Sequence, residues 1–526
     1  MRTGGDSRDH PGGGDPRDGA PPGGDDRPGG PVTRARVAVV GAGLGGLSAA
    51  VRLAAAGRRV DVYERGPGPG GKAGTESTGG FRFDTGPSLL TMPWVFEDLF
   101  AAAGARLEDR LELRPLDTIC RYFWRDGLRF DAPGGTQAFS TAASETFGEP
   151  AAHFAQFFDR AKRIYDITAH LFLEKSLHEW STLFSDGFFR SLLRVWRIDS
   201  MRSLHEANAA TFRDPRLVQL FDRYATYNGS SPFLTPATMA IIPDVEYRGG
   251  AYALGGGIYS LPTALERLAR ELGVVLHYER PVDRILADPV TRRTRGVEVS
   301  GERLDYDVVV SNVDVSVTYP ELLRDEEAPA YRRYRALEPS SSGYVFYWGM
   351  GEIFDELDLH NIFFSDDYRR EFEEIFAGQV IATDPTIYVN ITSKVTPGDA
   401  LPGGENWFVL VNVPPDRGQD WDALGARLRE VVLRRISEDL GRDVATAIRA
   451  EDSMSPRDIE ERTASPGGSL YGIASNTRFA AFRRHANRSR RYPGLYFCGG
   501  STHPGGGMPL VVLSGRIAAE LIEQYE

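Results

Sequence analysis

The sequence predicts an α/β fold in which one parallel-sheet domain is assembled from three separated chain segments, with an α+β domain inserted between them. Three observations lead there. The β-branched run "VAVV" enters a glycine loop, an alanine-rich stretch and a second apolar run, "VDVYE", which is the order strand, helix, parallel strand. Glycine punctuation then fades after residue 115, gives way to helical periodicity, and returns near residue 249. It returns again in "LYFCGGSTHPGGGMPLVVLSGR", where an apolar strand runs into a glycine-dense loop and a helix.

Bulk properties narrow the function. At 526 residues the chain can form two or three domains. A net charge of −12 argues against a nucleic-acid partner, which favours a basic surface. The two cysteines, Cys120 and Cys498, supply neither a disulfide framework nor a metal cluster and fit a reducing compartment. Residues 1–33 hold almost no apolar side chains, read as a disordered tail, and lack the apolar core of a secretory signal. No apolar run reaches the roughly 18 residues of a membrane-spanning helix.

The first segment opens with the pattern G-x-G-x-x-G at Gly41, Gly43 and Gly46, with Gly45 inside the same loop. Gly41 suits the tight turn, Gly43 lets a pyrophosphate approach the backbone, and Gly46 allows close helix–strand packing. The phosphates then lie on the amide-rich start of the helix "LSAAVRLAAAG". Glu64 ends the second strand about 20 residues further on, where a carboxylate can bond both hydroxyls of an adenosine ribose. These elements together describe a Rossmann-like dinucleotide fold.

After Glu64 come "RGPGPGGKAGT", with Gly70, Gly71, Lys72 and Gly74, and then "GFRFDTGPSLLTMP". An NAD dehydrogenase has no use for a second glycine-rich anion loop here. The text resembles the flavoproteins of the amine-oxidase and carotenoid-desaturase superfamily. That resemblance implies FAD, with Gly71 in the second loop and Lys72 toward its phosphates or ribityl chain; the plain alternative for Lys72 is a solvated loop lysine. It also puts Gly86 and Ser88 beside the flavin. The stretch "GGAYALGGGIYSLPTALERLARELGVVLHYERPVDRI" is similar to the family's helix and edge strand, which makes Val282 a hydrophobic contact to FAD. "LDYDVVVSNVDV" is a further buried strand ending at Ser311 and Asn312. In the last segment the resemblance puts Gly500 and Ser501 near the ribityl phosphate and Met508 under the pyrimidine ring. The expected domains are residues 34–115, 245–318 and 468–526 for FAD, and residues 116–244 and 319–467 for substrate and membrane association.

A narrower resemblance rests on "GGSTHPGGGMPLVVLSG", "FDTGPSLLTMP", "RYATYNGSSPFLTPATM" and "HNIFFSDDYRREF". Together these look like the bacterial carotenoid desaturases, over nearly the whole chain after residue 33, and nearer to relatives acting on the 3,4 bond of an acyclic carotenoid. The implied reaction introduces C=C bonds into a lipophilic polyene of the phytoene, neurosporene or lycopene type by hydride transfer to flavin. Quinone or oxygen takes the electrons. An oxygenase or ketolase, an isomerase or saturase, and a flavin-binding lipid escort are the alternatives.

Where amine oxidases carry G-E-x-T this chain has "GGST", and Cys498 reads as core, so FAD is expected to be noncovalent. No paired carboxylate or nucleophile triad is present to nominate. His503 is a candidate for a direct role, although a histidine before Pro504 in a turn also reads as structural. Arg478, His485 and Asn487 resemble family residues that line or brace the site. Phe188, Phe189, Leu192, Leu193 and Trp196, interleaved with Arg190, Arg194 and Arg197, fit a helix lying in a membrane surface or one packed on the substrate domain. A polyene substrate adds the expectation of a cytoplasmic protein, peripheral on the inner face of the cell membrane.

Overall fold

The computed structural model describes residues 35–173, 175–179, 199, 201–477 and 480–526. Ala35–Glu526 forms one compact unit. Its first sheet has five strands in the order Leu495–Phe497, Val308–Ser311, Arg36–Val40, Arg59–Tyr63 and Val275–His277. Every neighbouring pair is parallel, and Val39 sits opposite both Val62 and Val310. Val37, Ala38 and Val39 are fully buried because helices Leu44–Ala55 and Met508–Tyr525 pack on one face and the antiparallel strands Val282–Ala287 and Thr294–Val299, with Tyr319 and Tyr331, pack on the other, which is why this strand is an uninterrupted apolar run.

Helix Leu44–Ala55 packs against the C-terminal helix Met508–Tyr525 at very short range. A Cβ on Gly515 would lie 2.3 Å from the Gly45 carbonyl oxygen, and Ser48 Oγ donates to Val512 O at 2.8 Å. Two helices remote in sequence are thus brought together at the glycine loop. Leu113–Pro115 pairs with Tyr252–Leu254 where the chain leaves the sheet and comes back.

The second sheet has seven strands in the order Ile448–Met454, Ser342–Met350, Glu405–Val413, Ile387–Asn390, His360–Phe363, Thr118–Phe123 and Arg129–Pro133. Its long strand Ser342–Met350 is buried along its whole length. The chain after residue 115 therefore starts with a hairpin on the edge of this sheet before its helices begin at Thr136. The alternation in "TICRYF" is too short to stand out from the helical pattern that follows. Among the described residues no helix is long and apolar enough to cross a membrane. The arginine-flanked stretch from Phe188 to Arg197 lies outside the described residues.

Candidate functional site

A cavity of about 660 Å3 lies between the two sheets, its wall drawn from both. Gly41, Gly43, Gly45 and Glu64 line it, at the C-terminal ends of the first two strands. Gly41 has φ +98°, and its amide donates to Tyr63 O at 2.8 Å, closing the turn onto the neighbouring strand. Glu64 is held by two amides: Ala42 N donates to Oε2 at 2.7 Å and Gly66 N to Oε1 at 2.8 Å. Gly46 stands behind the wall, where a Cβ would fall 2.1 Å from Gly41 O, so it serves helix–strand packing.

Gly71, Lys72, Gly86 and Ser88 line the cavity from the second glycine loop and the segment after it. Gly70 N donates to Ala42 O at 2.9 Å and joins this loop to the first. A Cβ on Gly86 would lie 2.0 Å from Lys72 O, so only glycine fits against that loop. Lys72 is not a solvated loop lysine. Its Nζ donates to Ser469 O at 2.8 Å and Leu470 O at 2.9 Å. Desolvation lowers its pKa to about 8, opposed by the Asp314 carboxylate.

Val282, Gly500, Ser501 and Met508 complete the set of expected contacts that reach the wall. Ser501 Oγ accepts from Val315 N at 3.2 Å, and Gly500 O accepts from Arg484 Nη1 at 3.0 Å, which ties the last glycine turn to the rest of the wall.

His503 does not reach the cavity. It is fully buried, and its Nε2 donates to Lys175 O at 3.0 Å. Burial, with His178 adding to it, pushes its pKa down to about 3, so it is a neutral structural group. His485 and Asn487 act as braces: His485 Nε2 lies 3.1 Å from Tyr319 OH, and Asn487 Nδ2 donates to His503 O at 2.8 Å. Arg478 lies outside the described residues. Cys498 is buried at the end of the last strand and takes no part in the lining.

The remaining wall contains groups that the sequence reading missed. Ile362, Val345, Phe408 and Leu410 make it apolar, yet Arg223, Tyr227, His360 and Tyr388 also line it. Ser88 Oγ lies 2.5 Å from Tyr388 OH, which lies 2.7 Å from His360 Nδ1. Burial, reinforced by the Arg223 cation, takes His360 down to about 3 and keeps its imidazole neutral. Arg223 opens "RYATYNGSSPFLTPATM", a stretch that carries the family resemblance, but an arginine in an amphipathic segment ordinarily faces water, so nothing in that stretch assigns it to a cavity wall.

Tyr368 and Thr386 line the cavity, and Glu371 sits buried behind them, accepting from Ser365 Oγ at 2.7 Å, Thr386 Oγ1 at 2.7 Å and Thr386 N at 3.0 Å. Burial outweighs these bonds and raises its pKa to about 7. An unfolded glutamate releases its proton near pH ~4.3, so between those values the folded chain binds more protons. This group's contribution to stability therefore falls as pH rises from about 4.3 through 7. Glu371→Gln is expected to flatten the urea-unfolding stability across that window, by on the order of 3 kcal/mol. An unchanged pH slope would show that Glu371 ionises normally in the folded chain.

Residues 44–523 match the family described as flavin containing amine oxidoreductase. The chain is 42% identical over 484 residues to a 1-hydroxycarotenoid 3,4-desaturase from Flavobacterium sp. (strain P99-3), covering 92% of this chain and 98% of that one. It is 34% identical over 495 residues to a 4,4'-diapolycopene oxygenase from Methylomonas sp, covering 93% and 98%. Among solved structures, an oxidoreductase from Methanosarcina mazei superimposes with a TM-score of 0.61 at 19% identity, over 92% of this chain and 100% of that one. A putrescine oxidase bound to putrescine does so at 0.60 and 16%, over 93% and 99%. These two show a shared fold.

Proposed function

Because this chain belongs to the flavin containing amine oxidoreductase family, we propose that it removes hydrogen from adjacent carbons of an acyclic carotenoid-class polyene and so adds a C=C bond. The chain is a flavin-dependent oxidoreductase and FAD is its cofactor. The wall fits that group. Gly41, Gly43 and Gly45 leave backbone bare at one helix start, and Glu64 is already oriented by two amides at the ribose end. Bound FAD supplies the acceptor for the hydride, and with it the electron pair of the C–H bond that breaks. Cys498, buried in the core with its thiol pKa raised by that burial, supports noncovalent binding.

The observation that carries the reading is one continuous cavity. Glycine-lined nucleotide walls from three stretches of chain run directly into the apolar wall of the second sheet. Loss of a hydride leaves a cation spread over the conjugated chain, and a proton then leaves the neighbouring carbon. Delocalisation stabilises that cation, so this chain's residues mainly have to orient the polyene and exclude water. Val345, Ile362, Phe408 and Leu410 provide such a surface. A substrate this apolar is taken from a lipid surface, which supports a peripheral position on the inner face of the cell membrane. Quinone or oxygen removes the electrons.

A second reading, oxygen insertion into the same class of polyene, is supported by the 34% identity to an oxygenase. Purified FAD-loaded protein, given acyclic polyenes and an electron acceptor, is expected to yield a pigment absorbing at longer wavelength and lighter by two hydrogens. A gain of oxygen in the product favours the second reading. Pigments left unchanged by flavin-loaded protein overturn both.

A further inference from the structure

The cavity wall holds a cation that a hydrocarbon gives no reason to keep. Arg223 is only 6% exposed and lines the apolar part of the cavity. Its Nη2 donates to Tyr122 OH at 2.8 Å and lies 4.0 Å from Glu246 Oε1. The guanidinium carbon sits 4.4 Å from the ring centre of Tyr224 and 5.3 Å from those of Tyr122 and Tyr227. Aromatic faces and one carboxylate thus hold the charge, and they leave part of its hydrogen-bonding capacity unused.

Two features of the cluster point to a ligand. Both oxygens of Glu246 are engaged within the cluster, since Tyr224 OH donates to Oε1 at 2.6 Å and Tyr227 OH to Oε2 at 2.8 Å. Arg223 Nε, by contrast, is buried with no hydrogen-bond partner among the described residues. Tyr227 also lines the cavity, and its oxygen receives only a long contact from Arg223 Nη1, 3.5 Å, so it keeps room to accept. A donor with no partner and an acceptor with spare capacity therefore stand side by side. His360 Nε2, in the same wall, is likewise buried and without a partner among the described residues.

Building on the polyene reading above, we propose that Arg223 is a specificity-determining residue that donates a hydrogen bond to a hydroxyl group at one end of the polyene, with Tyr227 accepting from that hydroxyl. A hydroxyl both accepts and donates, as this pair requires. A carbonyl can use only the arginine, and a hydrocarbon end leaves the buried donor unpaired, which is the basis for strong discrimination between otherwise identical chains.

The test uses FAD-loaded protein and acyclic polyenes of one chain length that end in hydrogen, hydroxyl or a keto group. Dissociation constants come from the visible spectral shift on binding, and conversion is followed by chromatography. The hydroxylated polyene is expected to bind about 10- to 100-fold tighter than the hydrocarbon, with the keto form between them. Arg223→Met is expected to bring that ratio to near one at full flavin content, and Arg223→Lys to restore part of it. If Arg223→Met does not fold, Tyr227→Phe carries the test, with an expected fall of several-fold in the ratio. Equal affinities in the wild type, or a ratio that survives both Arg223→Met and Tyr227→Phe, overturn the proposal. Selective binding without conversion upholds the recognition site and counts against desaturation, so the two readings fail separately.

Discussion

Gly43→Val is expected to give a folded protein that purifies without flavin. A Cβ at Gly43 would lie 2.7 Å from Asn312 Nδ2. That carboxamide has nowhere to turn, because Oδ1 already stands 2.7 Å from the Cβ position at Gly45 and 2.8 Å from that at Gly499. Three glycines from the two ends of the chain are thus fitted around one asparagine, and any side chain at Gly43 displaces it. The same position lines the cavity, and if this loop takes the pyrophosphate as its glycine spacing predicts, valine is expected to block the cofactor as well as the packing. Local overpacking costs about 1–3 kcal/mol, which leaves most domains of this size folded. The expected result is a far-UV circular dichroism spectrum close to wild type with no flavin absorbance. Gly398→Ala is the control, since that exposed glycine has nothing within 4 Å of its Cβ position and keeps its flavin. Stoichiometric FAD in purified Gly43→Val would contradict the assignment of this loop.

Removing Glu246 is expected to be far more damaging than removing Arg223 and Glu246 together. The pair is buried, with side-chain exposures of 7% and 1%. Glu246→Leu leaves the Arg223 charge without its carboxylate and deprives the hydroxyls of Tyr224 and Tyr227 of their acceptor. Breaking a buried pair in this way costs about 3–5 kcal/mol, whereas replacing both members with apolar groups of similar size is often neutral or better. The double variant Arg223→Met/Glu246→Leu should therefore recover most of the loss seen in Glu246→Leu. Urea midpoints of the wild type, the single variant and the double variant decide the matter. A double variant as unstable as Glu246→Leu would mean that the tyrosine hydroxyls, and not the charges, govern this cluster.

The nucleotide loops could be read before any coordinates because their requirements are local. A strand, a tight glycine turn and a helix start lie within about 30 residues of chain, and the geometry that demands each glycine is set by its immediate neighbours. Gly41, Gly46 and Glu64 thus carried recognisable physical reasons in their spacing, whereas Gly86 was named only by family resemblance and its reason, a Cβ position 2.0 Å from Lys72 O, belongs to the folded chain. Lys72 was a harder case: its residue type suggested an anion, but the carbonyls that hold it belong to Ser469 and Leu470, 397 and 398 residues away. His503 stood beside the right turn in the sequence, yet the backbone directs it to Lys175.

By itself the sequence predicted a dinucleotide loop where the chain's glycines cluster, and it determined that its first and last stretches belong to one parallel sheet. Only the tertiary structure decided what else lines the cavity those glycines enter. Arg223 acquires its character from Tyr122, 101 residues earlier, and His360 from Tyr388, 28 residues later. Both residues open stretches that carry the family resemblance, yet neither stretch contains the partner that gives the residue its setting. Burial turns an arginine that would ordinarily face water into a held charge beside an apolar cavity, and burial is a property of packed elements that no short stretch of chain can specify alone.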